Sequence, residues 1–451
     1  MAISKKMAVL GLGKSGMAAV RFFRKRGYEI FTSDTKRFDS NDSTVEELKK
    51  LGVSGEWGGH TEKILNSDCI LLSPGVNPAL PILEKARQRK IPIWPEIEAA
   101  YRFCPGPIIA VTGTNGKSTV VALVGHLLKE NGLDACVVGN IGIPLLDEIE
   151  NMSDHTWAVM EVSSFQLETI VDFRPRIASI LTITEDHLNR HPDFSTYVAA
   201  KARIFENQKK DDWAVLNQDD PIIQNLAAKA KGKILWFGKK PKGEGVFIRG
   251  NSIVWSQKDG EKTVATFADF PLPGEHNRRN LASAAAICVA CGLPQIKRGI
   301  ENFKGLPHRL EFVATVDGID FVDDSKGTNP DAVASALRTF EKPIVLIAGG
   351  YDKNLNFKPM VDAAQGRVKA LIALGKDNTK ILDVFSFLPP SCRTGVSDVK
   401  SAVREARKQA RSGDLVLLSP GCASFDLFHS AEERGDLYQL AVREFSSKGT
   451  A

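Results

Sequence analysis

The segment Thr112-Gly-Thr-Asn-Gly-Lys-Ser-Thr119 follows an apolar run, Ile108–Thr112, and opens a second run with helical spacing, Val120–Glu130. A phosphate carries dense negative charge. A turn at a helix start meets it with several unbonded backbone N–H groups and the positive end of the helix dipole. Gly113 and Gly116 let the backbone come close. Lys117 brings a point charge for the β- and γ-phosphates, and the Ser118 hydroxyl is placed to hold Mg²⁺. Thr114, Asn115 and Thr119 complete the loop. The common GxxxxGK[ST] pattern has glycine where this chain has Val111, so the loop is a variant. The alternative is a glycine turn with no ligand; strand, loop, Gly-Lys-Ser-Thr and helix in that order argue against it.

A second glycine motif, Gly11-Leu-Gly-Lys-Ser-Gly16, follows Met7–Leu10, and Asp34 ends the next strand, where an acid meets a ribose in dinucleotide-binding folds. A tight turn needing positive φ would read the same way. Asp34-Thr-Lys-Arg37 and Ser73-Pro-Gly75 add donors and charge suited to a diphosphate other than NAD. Glu161 ends the run Trp157–Glu161, just before Val162-Ser-Ser-Phe-Gln166. That is the place of a Mg²⁺ carboxylate in a phosphate-loop domain, or of an acid favouring a helix start. His187 sits in Thr184-Glu-Asp-His187, after an expected strand Ile177–Thr184. Lys201 lies on an expected helix Ser195–Glu206 and alone reads as a solvated lysine. Cys288 and Cys291 have CxxC spacing, but they fall in Ala284-Ala-Ala-Ile-Cys-Val-Ala-Cys291, which reads as a buried helix and not as a metal or redox site.

The elements that must position these residues alternate. Met7–Leu10, Tyr28–Thr32, Cys69–Leu72 and Ile91–Ile93 read as strands, with helices at Ser15–Arg26 and Leu80–Lys90. This is the rhythm of a parallel sheet covered by helices. Cys104-Pro-Gly-Pro107 reads as a linker. Strands recur at Ile108–Thr112, Ala135–Val138, Trp157–Glu161, Ile177–Thr184 and Trp213–Leu216. The glycine-rich stretch 238–270 reads as a small antiparallel patch, followed by a helix Asn280–Cys291. A third unit opens with a hairpin, Phe312–Val316 and Ile319–Val322 around Asp317-Gly318. Parallel strands follow at Ile344–Ala348, Ala370–Leu374 and Leu415–Leu418. Leu71-Leu-Ser-Pro-Gly75 and Leu417-Leu-Ser-Pro-Gly421 echo one another, each read as a strand running into a sharp turn.

The chain has 451 residues, 43% hydrophobic and 25% charged, an ordinary globular composition with length for about three domains. The net charge of +5 is spread along the chain without a long basic run; it fits small anionic ligands equally well and alone decides nothing, and no nucleic-acid partner is expected. No apolar stretch is long enough to span a bilayer, and no signal peptide precedes the first strand. Seven scattered cysteines suit a reducing compartment, so a cytoplasmic location is expected.

The motifs together resemble the Mur ligase family, which builds the peptide stem of bacterial peptidoglycan. The matching stretches are Gly11–Gly16, Ser73-Pro-Gly75, Gly113–Thr119, Gly139-Asn-Ile-Gly142 and Glu161-Val-Ser-Ser-Phe-Gln-Leu-Glu168. They continue through Thr184-Glu-Asp-His187, Gly274-Glu-His-Asn277, Gly305-Leu-Pro-His-Arg309, Asp323-Asp-Ser-Lys-Gly-Thr-Asn329 and Leu418-Ser-Pro-Gly-Cys-Ala-Ser-Phe-Asp426. The last two point to the branch of the family that adds D-glutamate. The resemblance implies an α/β fold of three domains. These are a Rossmann-like UDP-binding domain at 1–104, a central P-loop ATPase-type parallel sheet with a small antiparallel patch at 105–307, and a Rossmann-like C-terminal domain at 308–451. The C-terminal domain would bind the amino acid and part of ATP.

The resemblance also implies roles. Ser15, Gly16, Asp34, Thr35 and Ser73 would hold uridine diphosphate. Gly113 to Thr119, with Asn280, Arg309 and Asp324, would hold ATP. Ser118, Glu161, His187 and Lys201, the last as a carbamate, would hold two Mg²⁺ ions, and Asn140 would touch the acyl substrate. Lys117, Asn140, Glu161, His187 and Lys201 would form the catalytic set. Thr328, Lys353, Ser424 and Phe425 would hold D-glutamate. The family's pocket phenylalanine falls on Ala431 here, with Phe428 as the nearest replacement. The implied reaction is ATP-dependent amide ligation through an acyl phosphate on UDP-N-acetylmuramoyl-L-alanine, by a monomer with small-molecule substrates. Rival readings are a sibling Mur enzyme, a folylpolyglutamate synthase-like ligase and, from another class, a dinucleotide-dependent oxidoreductase.

Overall fold

The computed structural model describes residues 6–140, 142–186, 190–239, 243–296, 298–352 and 355–446. The chain forms two compact units. One comprises Met1–Ile183, Val198–Ala268 and Ala282–Ile300; the other comprises Thr184–Tyr197, Asp269–Leu281 and Glu301–Ala451.

The first unit holds two sheets. The N-terminal sheet is five-stranded and wholly parallel, in the order Ser54–Trp57, Glu29–Asp34, Lys6–Leu10, Cys69–Leu72, Ile93–Pro95. The helix Lys14–Lys25 covers it with a stripe of Met17, Ala18, Val20, Phe22 and Phe23, and ends on Arg24 and Lys25, favourable at a helix C-terminus. The second sheet has nine strands. Its parallel centre runs Trp213–Asn217, Ile177–Ile180, Ile108–Thr112, Trp157–Glu161, Ala135–Gly139. Ile108–Thr112 is buried along its whole length, as a parallel strand covered on both faces must be. Lys233–Gly238 joins this centre in parallel to a patch of three strands, Gly245–Arg249, Ser252–Gln257 and Gly260–Thr266, antiparallel among themselves.

The second unit is built on a six-stranded sheet in the order Glu311–Val316, Ile319–Asp323, Leu415–Gly421, Ile344–Gly349, Val368–Leu374, Arg393–Val396. Only the first pair is antiparallel. Asp317 and Gly318 both have positive φ, 53° and 75°, as a two-residue hairpin turn requires.

Three expectations need correction. The strand expected over 177–184 ends at Ile180, because the chain there turns onto the glycine loop: Leu181 N donates to Thr112 O, and Thr182 O accepts from Thr114 N. The helix expected over 195–206 runs Phe194–Ala202 and tightens into a 3-10 turn, Arg203–Phe205, as the Arg203 guanidinium reaches the carbonyls of Leu167 and Ile170. The two Leu-Leu-Ser-Pro-Gly segments are not equivalent. The first leaves its sheet at Leu72, while the second stays in strand through Gly421, which pairs with Gly349. Cys288 and Cys291 are free; Cys288 is buried in the helix Glu275–Ala290, where burial pushes its thiol up to about 12, while Cys291 lies just past the helix end, half-buried, and not inside the helix expected over 280–291. Among the described residues, no helix is long and apolar enough to cross a membrane.

Candidate active site

The glycine loop leaves Ile108–Thr112 as its pattern demands. Gly113 and Gly116 have φ of 151° and 85°, and Gly116 caps the helix Lys117–Glu130. Thr182, on the neighbouring strand end, fastens the loop by accepting from Thr114 N at 2.8 Å through its carbonyl and from Asn115 N at 3.1 Å through its hydroxyl. Lys117 Nζ folds over the loop and donates to Gly113 O at 2.9 Å and Thr114 O at 2.8 Å. Ser118 and Thr119 are buried in the first helical turn.

Lys201 is not a surface lysine. It is 2% exposed, and its Nζ donates to the same Gly113 carbonyl at 2.9 Å, with Thr112 Oγ1 at 3.4 Å. Both ammonium groups thus meet at the Gly113 carbonyl, beside a ready-made phosphate cradle. Glu161 ends the adjacent strand, in register with Val111. It is buried; Oε1 accepts from Asn140 Nδ2 at 3.2 Å, and Oε2 has no hydrogen-bond partner. A buried carboxylate oxygen left bare beside a phosphate loop is the donor a hard cation takes. Asn140 is held in turn, its N–H donating to Glu161 O at 3.0 Å. Gly139 permits this approach, since a Cβ there would lie 2.4 Å from Glu161 O. The structure thus gathers Gly113–Thr119, Asn140, Glu161 and Lys201 at one sheet edge. His187 lies outside the described residues.

The other glycine motif forms its own cradle on the N-terminal sheet. A Cβ on Gly16 would fall 1.9 Å from Gly11 O, so glycine is obligatory where the helix meets the turn. Ser73 Oγ donates to Gly11 O at 2.7 Å, joining the carboxyl ends of two neighbouring strands. Asp34 accepts from Leu12 N at 2.7 Å and Lys36 N at 2.8 Å, so its first role is to shape the turn. Ser15 is half-buried and Thr35 exposed.

In the second unit, the loop after Ile319–Asp323 is tied to the end of the strand Leu415–Gly421. Gly421 N donates to Gly327 O at 2.8 Å, and Ser419 Oγ donates to Asp324 Oδ2 at 2.7 Å. Burial pushes the Asp324 carboxyl up to about 7, against the opposing pull of the Ser419 bond and of Arg309. Thr328 is half-buried, Ser424 buried and Phe425 70% exposed. Phe428 is half-buried and packs on the core beside Leu427, whereas the Phe425 ring is open to solvent. Asn280 Nδ2 donates to Asn277 Oδ1 at 3.2 Å. Burial, with Arg279 and Arg309, lowers the nearby His276 to about 4 and keeps it neutral. Lys353 lies outside the described residues.

Sequence reasoning missed Arg434. It is fully buried, and its guanidinium donates to Ser325 Oγ at 2.9 Å and Ser325 O at 2.8 Å, with Cys422 O at 3.4 Å, bracing the Asp324–Gly327 loop and the chain just past Gly421. An arginine on the charged C-terminal helix Ala431–Ser446 carries no local sign of burial. His308, Glu311 and Asp323 come close enough for a metal, yet they already clasp one another. His308 Nδ1 lies 2.7 Å from Asp323 Oδ2, and Gln439 Nε2 donates to both acids at 2.9 Å, so the cluster is a structural knot.

Three domain families match this chain: the Mur ligase MurD-like N-terminal domain at 5–94, the Mur ligase middle domain at 111–288, and the Mur ligase glutamate ligase domain at 308–422. The UDP-N-acetylmuramoylalanine–D-glutamate ligase of Thermoanaerobacter sp. (strain X514) is 41% identical over 447 residues, covering 98% of each chain. The protein of the same name from Clostridioides difficile (strain 630) is 40% identical over 436 residues, covering 96% of each. The MurF ligase from Thermotoga maritima, solved in complex with ADP, shares the fold, with a TM-score of 0.59 at 15% identity over 98% of this chain and 96% of that one. Matched in all three domains, and so similar to these relatives along nearly its whole length, the chain belongs to the Mur ligase family.

Proposed function

We propose that this protein is an ATP-dependent ligase that joins D-glutamate to UDP-N-acetylmuramoyl-L-alanine, a step in making peptidoglycan precursors. The observation that carries the chemistry is the bare Glu161 oxygen beside a phosphate loop floored by Lys117 and Lys201. The choice of substrates is supported by the names of the relatives.

In this reading the domains are 1–104, 105–307 and 308–451, acting as a cytoplasmic monomer. Ser15, Gly16, Asp34, Thr35 and Ser73 hold the uridine diphosphate. The loop N–H groups and Lys117 orient the ATP phosphates. Asn280, Arg309 and Asp324 hold the rest of the nucleotide. Mg²⁺, at two sites held by Ser118, Glu161, His187 and a carbamate on Lys201, would offset the phosphate charge. Asn140 orients both Glu161 and the acyl substrate. The alanyl carboxylate takes the γ-phosphoryl group, releasing ADP. The D-glutamate amine then attacks the acyl carbon, loses a proton and expels phosphate to leave an amide. Thr328, Ser424, Lys353 and Phe425 grip the amino acid through charge-assisted and backbone hydrogen bonds.

Measuring phosphate release with D-glutamate, L-glutamate and meso-diaminopimelate side by side tests the assignment. D-glutamate is expected to be used at least about a hundredfold better, because inverting the α-carbon swings the amine out of line. Equal use of either competitor would reject the choice of D-glutamate.

A further inference from the structure

The helix Glu96–Phe103 opens with two acids that are both fully buried. Glu98 has an evident task. It accepts from the backbone N–H groups of Val171, Asp172 and Phe173 at 2.9 to 3.1 Å and pairs with Arg102 at 3.0 Å. Glu96, 1% exposed, has no such set. One oxygen accepts from Gln166 Nε2 at 3.3 Å, and the other, also buried, has no hydrogen-bond partner.

Gln166 explains why a hydrogen-bond acceptor is needed there. It closes a capping box on the short helix Ser164–Leu167. Its Oε1 accepts from Ser163 N at 2.9 Å and Ser163 Oγ at 3.0 Å, and Ser163 Oγ accepts from Gln166 N at 3.3 Å. The box works only while the amide presents oxygen to Ser163. A flipped amide would set its NH₂ against the Ser163 N–H, donor against donor. In a dry interior the NH₂ needs an acceptor on its far side, and Glu96 supplies it. Ser163 is two residues beyond Glu161.

We propose that Glu96 is a positioning residue for the reaction: it fixes the Gln166 amide and, through the Ser163 cap, the backbone from which Glu161 presents its bare oxygen. This rests on the ligase reading above. The groups that face Glu96 are Gln166 and, from the helix Leu145–Glu148, Asp147, itself held by Arg21 at 2.9 Å; Glu98 on its own helix is saturated. Burial, then Asp147, pushes the Glu96 carboxyl up to about 7 against the pull of Gln166, so it accepts the bond as a neutral acid at pH 6 and below.

The test compares the full-length protein with Glu96→Ala, Glu96→Gln and Gln166→Leu. Phosphate release is followed against Mg²⁺ concentration, and amide hydrogen exchange is read at 162–168 and 171–173. Glu96→Ala is expected to raise the Mg²⁺ concentration for half-maximal rate roughly tenfold, the scale of one lost buried hydrogen bond. Gln166→Leu should do the same, and the double variant should be no worse. Glu96→Gln, which still offers an acceptor, should restore the Mg²⁺ dependence to within about twofold. Exchange should quicken at 162–168 and stay slow at 171–173. Unchanged Mg²⁺ dependence with unchanged exchange in a folded Glu96→Ala protein would overturn the proposal. So would equal loosening of both segments, which marks a purely structural role. If the unaltered protein released no phosphate with these substrates, the ligase reading would fall, and the exchange contrast would still decide whether Glu96 fixes the 162–168 segment.

Discussion

Replacing Asp324 with Asn should abolish a large pH dependence of stability in the C-terminal sheet. Asp324 is buried where the strand Ile319–Asp323 gives way to its loop, with the Ser419 hydroxyl as its strongest partner. Desolvation outweighs that bond and the attraction of Arg309, and the carboxyl rises from 3.8 to about 7. The folded protein therefore holds this proton more tightly than the unfolded chain. The stability it confers is complete below pH 3.8 and is lost as pH rises through about 7. At about 1.4 kcal/mol per unit, the change is ~4 kcal/mol for the wild type and absent in Asp324→Asn. All six tryptophans, Trp57, Trp94, Trp157, Trp213, Trp236 and Trp255, lie in the other unit, so fluorescence does not report on this one. Hydrogen exchange of Leu415–Gly421 across a urea series, at pH 4, 6 and 8, does. Wild-type and Asn curves that stay parallel from pH 4 to pH 8 would refute the reasoning and mean that Asp324 ionises like an ordinary carboxylate.

Lys117→Ala should abolish phosphoryl transfer and change stability by less than ~1 kcal/mol, since the lysine folds over a loop and not into a core; near-normal turnover in a folded variant would sink the phosphate-loop assignment. Lys201→Ala should lose most activity, and short carboxylic acids should partly restore it by filling the missing oxygen ligands; full activity without them would end the carbamate proposal. UDP-N-acetylmuramoyl-L-alanine should protect 11–16 and 34–35 from hydrogen exchange, while NAD should not; protection by NAD alone would favour an oxidoreductase.

The sequence by itself determined the buried parallel strands and the phosphate loop, because each leaves a local pattern. Ile108–Thr112 and Ile344–Gly349 are buried on both faces, and such strands must be continuous apolar runs that announce themselves. Gly113 and Gly116 need positive φ, which leaves glycine in the text of the chain. Edge strands such as Ser54–Trp57 and Arg393–Val396 face solvent, carry mixed residues and leave no such trace. The tertiary structure alone decided what the charged groups do, because their partners lie far away in sequence. It sank Lys201 against Gly113, set both oxygens of Asp34 to shaping a turn, and closed Arg434 behind Ser325. It also put Glu96 beneath Gln166, 70 residues on. A lysine or glutamate on a helix reads as solvated until the chain has folded. Burial is a property of the surroundings, and those are assembled only when the sheets are.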